Sequence, residues 1–155
     1  MVKKNKQKVK SIIKNLVSMF LKDQNTQVEQ TMFLQDQNTQ VEQTIISNQY
    51  LIMKKLLTSS EMPKFNDVGF KVHSQFEEDG ILLYIFSVIG TTNKRVVEIC
   101  AGDGITCMAA NLIVNHGWEG LLFDGNRSNV DRGIDFYASN HATWLHPPIF
   151  LNMHG

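Results

Sequence analysis

The chain has 155 residues, 43% hydrophobic and 19% charged, and its 15 Lys+Arg balance 15 Asp+Glu to a formal net charge of zero. That length fits one ordinary domain, and the neutral balance gives no global reason to expect a nucleic-acid partner. No apolar run reaches the length of a spanning helix, and residues 12–21 are broken by Lys14, Asn15 and Ser18 with no cleavage site following, unlike a signal peptide.

The chain opens with Lys3, Lys4, Lys6, Lys8, Lys10, Lys14 and Lys22 and no acid before residue 23. A solvated helix face is the favoured reading, and contact with a membrane surface the less favoured one. Residues 20–32 are then repeated almost unchanged as residues 33–45. The period of 13 falls about 140° short of four helical turns, so equivalent residues land on different faces. A coiled coil needs a period of 7 or 11, and the repeat reads as a duplication in a tolerant segment whose second copy adds little packing. Its flanks carry helical stripes, Val9, Ile13, Leu16 and Phe20 before it and Ile46, Tyr50, Met53 and Leu57 after it. Residues 10–57 are predicted as one long or broken helix that self-associates or projects, in a helical segment covering 1–60.

Ser59, Ser60 and Pro63 close that segment, and Asn66, Asp67 and Gly69 predict a linker or turn. Ser74-x-x-Glu77 has the form of a capping box, predicting a helix up to Ile89, largely buried along 81–89, with a stop at Gly90. A strand is the competing reading of so apolar a run. A first strand is expected at 96–100, a helix at 105–115 stopped by Gly117, and a second strand at 120–124. Ser128-x-x-Asp131 predicts a helix to about Ser139, and Ile149, Phe150 and Leu151 a third strand after Pro147 and Pro148.

The chemistry concentrates where the first strand ends, at Glu98, Cys100, Ala101, Gly102, Asp103 and Gly104. Glycines allow a backbone to approach a cofactor, and a helix N-terminus offers free amides. Asp124 follows Gly104 by twenty residues, where a βαβ nucleotide fold keeps its ribose acceptor, with Gly125 and Asn126 beside it. Gly102-x-Gly104-x-x-Cys107 approximates a dinucleotide fingerprint, which leaves an NAD-dependent oxidoreductase as one alternative. Glu98 opposes that reading, because a carboxylate before the turn repels a pyrophosphate and suits a cationic group.

The stretch resembles motif I of class I S-adenosylmethionine-dependent methyltransferases, with Glu98 at the acid, Cys100 at the first glycine, and Gly102 and Gly104 at the next two. With the stretch from His73 to Gly80, the run from Asn115 to Trp118 and that from Leu121 to Asn126, it resembles FkbM-like methyltransferase domains over residues 70–150. The resemblance implies a Rossmann-like α/β domain over 61–155, S-adenosylmethionine as cofactor, and O-methylation of a small molecule or glycan. It also implies a seven-stranded sheet, of which this sequence supplies two or three strands. The chain therefore reads as C-terminally truncated and inactive alone, with no catalytic base assigned and the first strand left as an apolar edge open to self-association. Glu98, Cys100 to Gly104, Asp124 to Asn126 and Gln75 are the expected cofactor contacts, with Asp79 a further candidate.

A non-catalytic helical interaction protein with a remnant α/β part is the other alternative. Cys100 and Cys107 lack metal-site spacing and read as two buried free thiols in a reducing cytoplasm. His73, His116, His141, His146 and His154 show no metal-ligand clustering. Trp118 reads as a packing residue and Arg127 as a solvated loop residue.

Overall fold

The computed structural model describes residues 2–153. The side chains of residues 2–13 and of Leu16, Phe20, Asn25, Met32, Phe33 and Asp36 lie outside the described residues, as does His154. The expectations placed on the lysines up to Lys10 and on the stripe Val9, Ile13, Leu16 and Phe20 fall there. The elements in order are α1 (Val2–Leu56), α2 (Phe65–Val68), α3 (Glu78–Ile89), β1 (Arg95–Ile99), α4 (Met108–His116), β2 (Glu119–Asp124), α5 (Arg127–Ser139) and β3 (Ile149–Asn152). They divide into two compact units, Met1–Asn38 and Thr39–Gly155.

The long helix is continuous through the repeat. It holds neither glycine nor proline, the two residues that cost most inside a helix. The two copies nevertheless meet different surroundings. Gln27 and Gln30 of the first are exposed, whereas Gln43, the counterpart of Gln30, is only 2% exposed. In the larger unit Gln40 donates to the Val114 carbonyl at 3.4 Å, Ser47 meets Ser87 at 2.6 Å, and Tyr50 packs edge-on against Tyr84. The expectation that the second copy adds little packing is corrected for its part in the larger unit: Gln40 and Gln43 hydrogen-bond to α4.

Helix starts differ from the sequence reading, first at α2 and α3. Residues 65–68 form α2 instead of a linker, because the Lys64 amide donates to Asp67 at 3.0 Å while the Asp67 amide returns to the Lys64 carbonyl at 2.9 Å. Ser74 and Glu77 do not form a capping box. The wholly buried Asp79 accepts the amides of Val72, His73 and Ser74 at 2.7, 2.6 and 2.8 Å. That carboxylate holds 72–74 in a turn, and α3 starts at Glu78. Asp79 is thereby structural. Along α3, Leu83, Tyr84 and Ser87 are buried, Ile81, Leu82, Ile85, Phe86 and Val88 are half-buried, and only Ile89 at the end of 81–89 is exposed.

The sheet is three-stranded and parallel, in the order β1-β2-β3. Alternation along each strand sends Val96, Glu98, Leu122 and Phe150 to one face, where α4 and α5 pack. The core lies there, with Ala109, Ala110, Ile113, Leu122, Val130, Tyr137 and Phe150. Gly117 ends α4 in the left-handed conformation, φ 65° and ψ 39°, and the Trp118 amide bonds back to Leu112 at 3.1 Å. Trp118 is buried against Phe86, with ring centroids 4.6 Å apart. Asn126, and not Ser128, caps α5, accepting the Ser128 amide at 2.9 Å. Arg127 is thus the first residue of that helix, paired with Asp131 at 2.8 Å. Among the described residues β1 has no neighbour on its outer side, and no helix is long and apolar enough to cross a membrane.

Candidate functional site

The site begins where β1 runs out. Cys100 leaves the strand at φ 62°, and Gly102 and Gly104 follow at 61° and 69°. Positive φ is routine for glycine and strained for cysteine. The thiol of Cys100 is exposed, which corrects the expectation of two buried cysteines: the left-handed residue breaks the strand alternation that would have covered it. Cys107 is buried, and burial together with the Glu98 carboxylate pushes its thiol up to about 12.

The two glycines have different work. A Cβ on Gly104 would stand 2.7 Å from the Phe150 ring and 3.1 Å from Leu122, so this glycine lets the turn sit on the sheet. Its carbonyl accepts the buried Tyr137 hydroxyl at 2.5 Å, and burial raises that hydroxyl far above the ordinary tyrosine range. A Cβ on Gly102 would meet nothing within 4 Å, so Gly102 faces open space.

Three carboxylates take up the turn's amides. Asp103 accepts Ile105 at 3.0 Å and Thr106 at 3.3 Å, which keeps 105–107 out of the helix and delays α4 to Met108. Glu98 reaches from β1 to the start of α4, accepting Met108 at 3.3 Å and Ala109 at 2.7 Å. It thus satisfies amides that a helix leaves free at its first turn. Asp124 accepts the Gly102 amide on Oδ2 at 2.9 Å, and the Asn126 amide and Asn129 side chain on Oδ1 at 2.8 and 3.2 Å. The Asn126 amide, helped by Asn129 and Gly102 against desolvation, holds the Asp124 carboxyl below the usual carboxylate range.

A cleft of about 270 Å³ opens beside this turn. Gln75 and Glu78 line it from the start of α3, Glu98, Cys100, Ala101 and Gly102 from β1 and the turn, and Thr106, Cys107 and Met108 from the approach to α4. Its charged lining consists of two carboxylates, Glu78 and Glu98, with no lysine, arginine or histidine. The Phe76 amide donates to Glu78 at 3.0 Å, and hydrogen bonds from the backbone lower the Glu78 carboxyl below its ordinary value.

Of the residues expected from sequence, Gln75, Glu98, Cys100, Ala101 and Gly102 meet in this cleft. Asp124 is one hydrogen bond away through Gly102, Asp103 and Gly104 lie in the turn outside the lining, and Gly125 and Asn126 also stand outside it. Asp79 is buried elsewhere. Glu78, Thr106 and Met108 were not expected. The run Glu77-Glu78-Asp79 signalled acid here, but only the late start of α3 decides which acid faces the cleft. No group of three or more His, Cys, Asp or Glu among the described residues could hold a metal ion. Comparison with known proteins finds no match among family models, curated proteins or solved structures.

Proposed function

We propose that the chain binds S-adenosylmethionine in this cleft, on a Rossmann-like methyltransferase framework of the FkbM-like kind, and serves methyl transfer to an oxygen of a small molecule or glycan. The observation that carries the reading is the charge of the cleft. Both its ionisable carboxylates are acidic, and the helix N-terminus beside it is already satisfied by Glu98. A pyrophosphate needs those amides and is repelled by those carboxylates, whereas a cationic amino acid moiety is attracted. The same arrangement weighs against the NAD reading.

The residues present fit the cofactor. Gly102 offers open space for close approach, and Asp124 Oδ2 carries one hydrogen bond, leaving a lone pair for a hydroxyl. Glu98 and Glu78 would hold the amino end, Gln75 would supply an amide at the rim, and Asp124 would accept from the ribose. When bound, the cofactor supplies an electrophilic methyl group on a positively charged sulfur. The chain's part is then to place that methyl in line with an acceptor. The two free thiols fit a reducing, cytoplasmic setting.

Calorimetric titration of the full chain with S-adenosylmethionine, S-adenosylhomocysteine and NAD tests the reading. The first two are expected to bind and NAD not to. Asp124→Ala should weaken nucleoside binding by roughly 1–3 kcal/mol through hydroxyls left unpaired. Binding of NAD alone, or of none of the three, would overturn the assignment.

A further inference from the structure

Asp79 is wholly buried, makes no ion pair among the described residues, and leaves its Oδ1 without a partner there. Burying a charge is costly, and a half-satisfied one more so. A neutral acceptor would close the same turn at less cost, so the charge calls for a reason beyond the turn. All of its bonding falls on Oδ2, which takes the amides of Val72, His73 and Ser74 at 2.7, 2.6 and 2.8 Å. Such charge-assisted bonds are roughly twice as strong as neutral ones. The turn held in this way leads to the cleft. Ser74 Oγ accepts the Asp79 amide at 3.3 Å and donates to the Phe76 carbonyl at 3.2 Å. The Phe76 amide then donates to the Glu78 carboxylate at 3.0 Å. His73 Nδ1 lies 3.2 Å from the Ile105 carbonyl, which ties the same turn to the exit of the glycine turn.

We propose that Asp79 is a positioning residue of the cleft: its buried charge fixes the turn at 72–76, and the turn holds Gln75 and Glu78 in the cleft wall. What this does for a cofactor rests on the reading proposed above, whereas the placement of Glu78 does not. The exposed Cys100 thiol lines the same cleft and reports the Glu78 charge without any ligand. An anionic disulfide reagent is repelled by the cleft carboxylates, and neutral iodoacetamide is not. The ratio of their rates at Cys100 therefore measures local charge and cancels the thiolate fraction. Cys107, buried with its thiol raised to about 12, does not compete.

The test measures this ratio in the full chain. Glu78→Gln should raise it at least about twofold, the size of one unit charge across a cleft in water. Asp79→Asn should raise it as much, and the double variant no further. Gln43→Ala destabilises the fold where α1 meets α4 and should leave the ratio unchanged. Circular dichroism checks that each variant is folded. If Asp79→Asn does not fold, Ser74→Ala cuts the same chain of bonds and should raise the ratio in its place. No effect of Glu78→Gln, a parent-like ratio in the folded Asp79→Asn or Ser74→Ala variant, or additive effects in the double variant would overturn the proposal. So would a rise with Gln43→Ala, which would make the effect one of general loosening. Titration with S-adenosylmethionine separates the two readings. Where the parent binds it, Asp79→Asn should weaken binding about tenfold, and unchanged affinity would overturn the positioning role. A parent that binds none, with the rate pattern intact, would sink the cofactor reading and leave Asp79 in its role.

Discussion

Gln30→Ala and Gln43→Ala remove the same side chain from the same local sequence, Thr-Gln-Val-Glu-Gln-Thr, in two surroundings. Gln43 Oε1 accepts from Asn111 Nδ2 at 2.9 Å and from His116 Nε2 at 2.7 Å, and its Nε2 donates to Asn111 Oδ1 at 3.1 Å. Truncation leaves two donors in or near the core without acceptors. Each costs about 1–3 kcal/mol, so about 2–4 kcal/mol is expected once water partly enters the gap. Gln30 is exposed, and its loss should stay within about 0.5 kcal/mol. Urea unfolding followed by fluorescence of the buried Trp118 measures both, with equal slopes reporting the same transition. Deleting residues 33–45 sharpens the test. Met32 then joins Ile46, and Gln30 takes the place three residues before Ile46 that Gln43 held. The deletion should therefore change stability by less than about 1 kcal/mol, while Gln30→Ala in the deleted chain should now cost about 2–4 kcal/mol. Equal costs for the two single substitutions, or collapse of the fold on deletion, would refute the account of α1 docking through the repeat.

His116 joins this network, and desolvation first, then Lys94, lowers its pKa from the ordinary 6.5, against an opposing pull from Asp79. The unfolded chain then binds more protons over the interval below 6.5, so this group's contribution to stability falls as pH drops through that interval. Urea midpoints measured from about pH 7.5 down to about pH 5.5 should decline, and His116→Gln should flatten the decline. Cys100→Gly removes the strain of a cysteine at φ 62° but loosens the unfolded chain, so net stability should move by no more than about 1 kcal/mol. Cofactor affinity should be kept or improved, since glycine adds space to the cleft. A thiol reagent near pH 8 should titrate one fast cysteine in the parent and none in this variant, because Cys107 is buried with its thiol raised to about 12. A fast thiol surviving in the variant would contradict the burial of Cys107.

Strands were legible in the sequence to within a residue, because the β-branched and apolar runs were bounded by glycine-containing turns or, for the third, preceded by Pro147 and Pro148. Arg95–Ile99, Glu119–Asp124 and Ile149–Asn152 lie almost where patterning puts them. Helix starts were not, and the errors at α3 and α4 share one cause. Ser74 and Ile105 look like first helical residues by local rule, yet Asp79 and Asp103 accept the amides just ahead of each helix and hold those residues in turns. Periodicity sees spacing along the chain and not which acceptor takes an amide. Gln43 was illegible for a stronger reason: its neighbours in sequence are those of Gln30, and only tertiary packing separates them.

The same acceptors decide what kind of ligand the turn can take. A glycine turn leading into a helix is an anion site when its amides are free. Here Glu98 takes the first amides of α4, Asp103 takes Ile105 and Thr106, and Asp124 takes Gly102. Each bond satisfies a donor and leaves a negative charge beside it, which converts a place of positive potential into one of negative potential. Glu78 adds to that sign from α3. Where these three carboxylates point is what supports the proposed preference for a cationic ligand over a pyrophosphate. In Glu98→Gln the amides of Met108 and Ala109 keep an acceptor oxygen while the charge is lost. If charge selects the ligand, that variant should lose affinity for a cationic cofactor without losing α4.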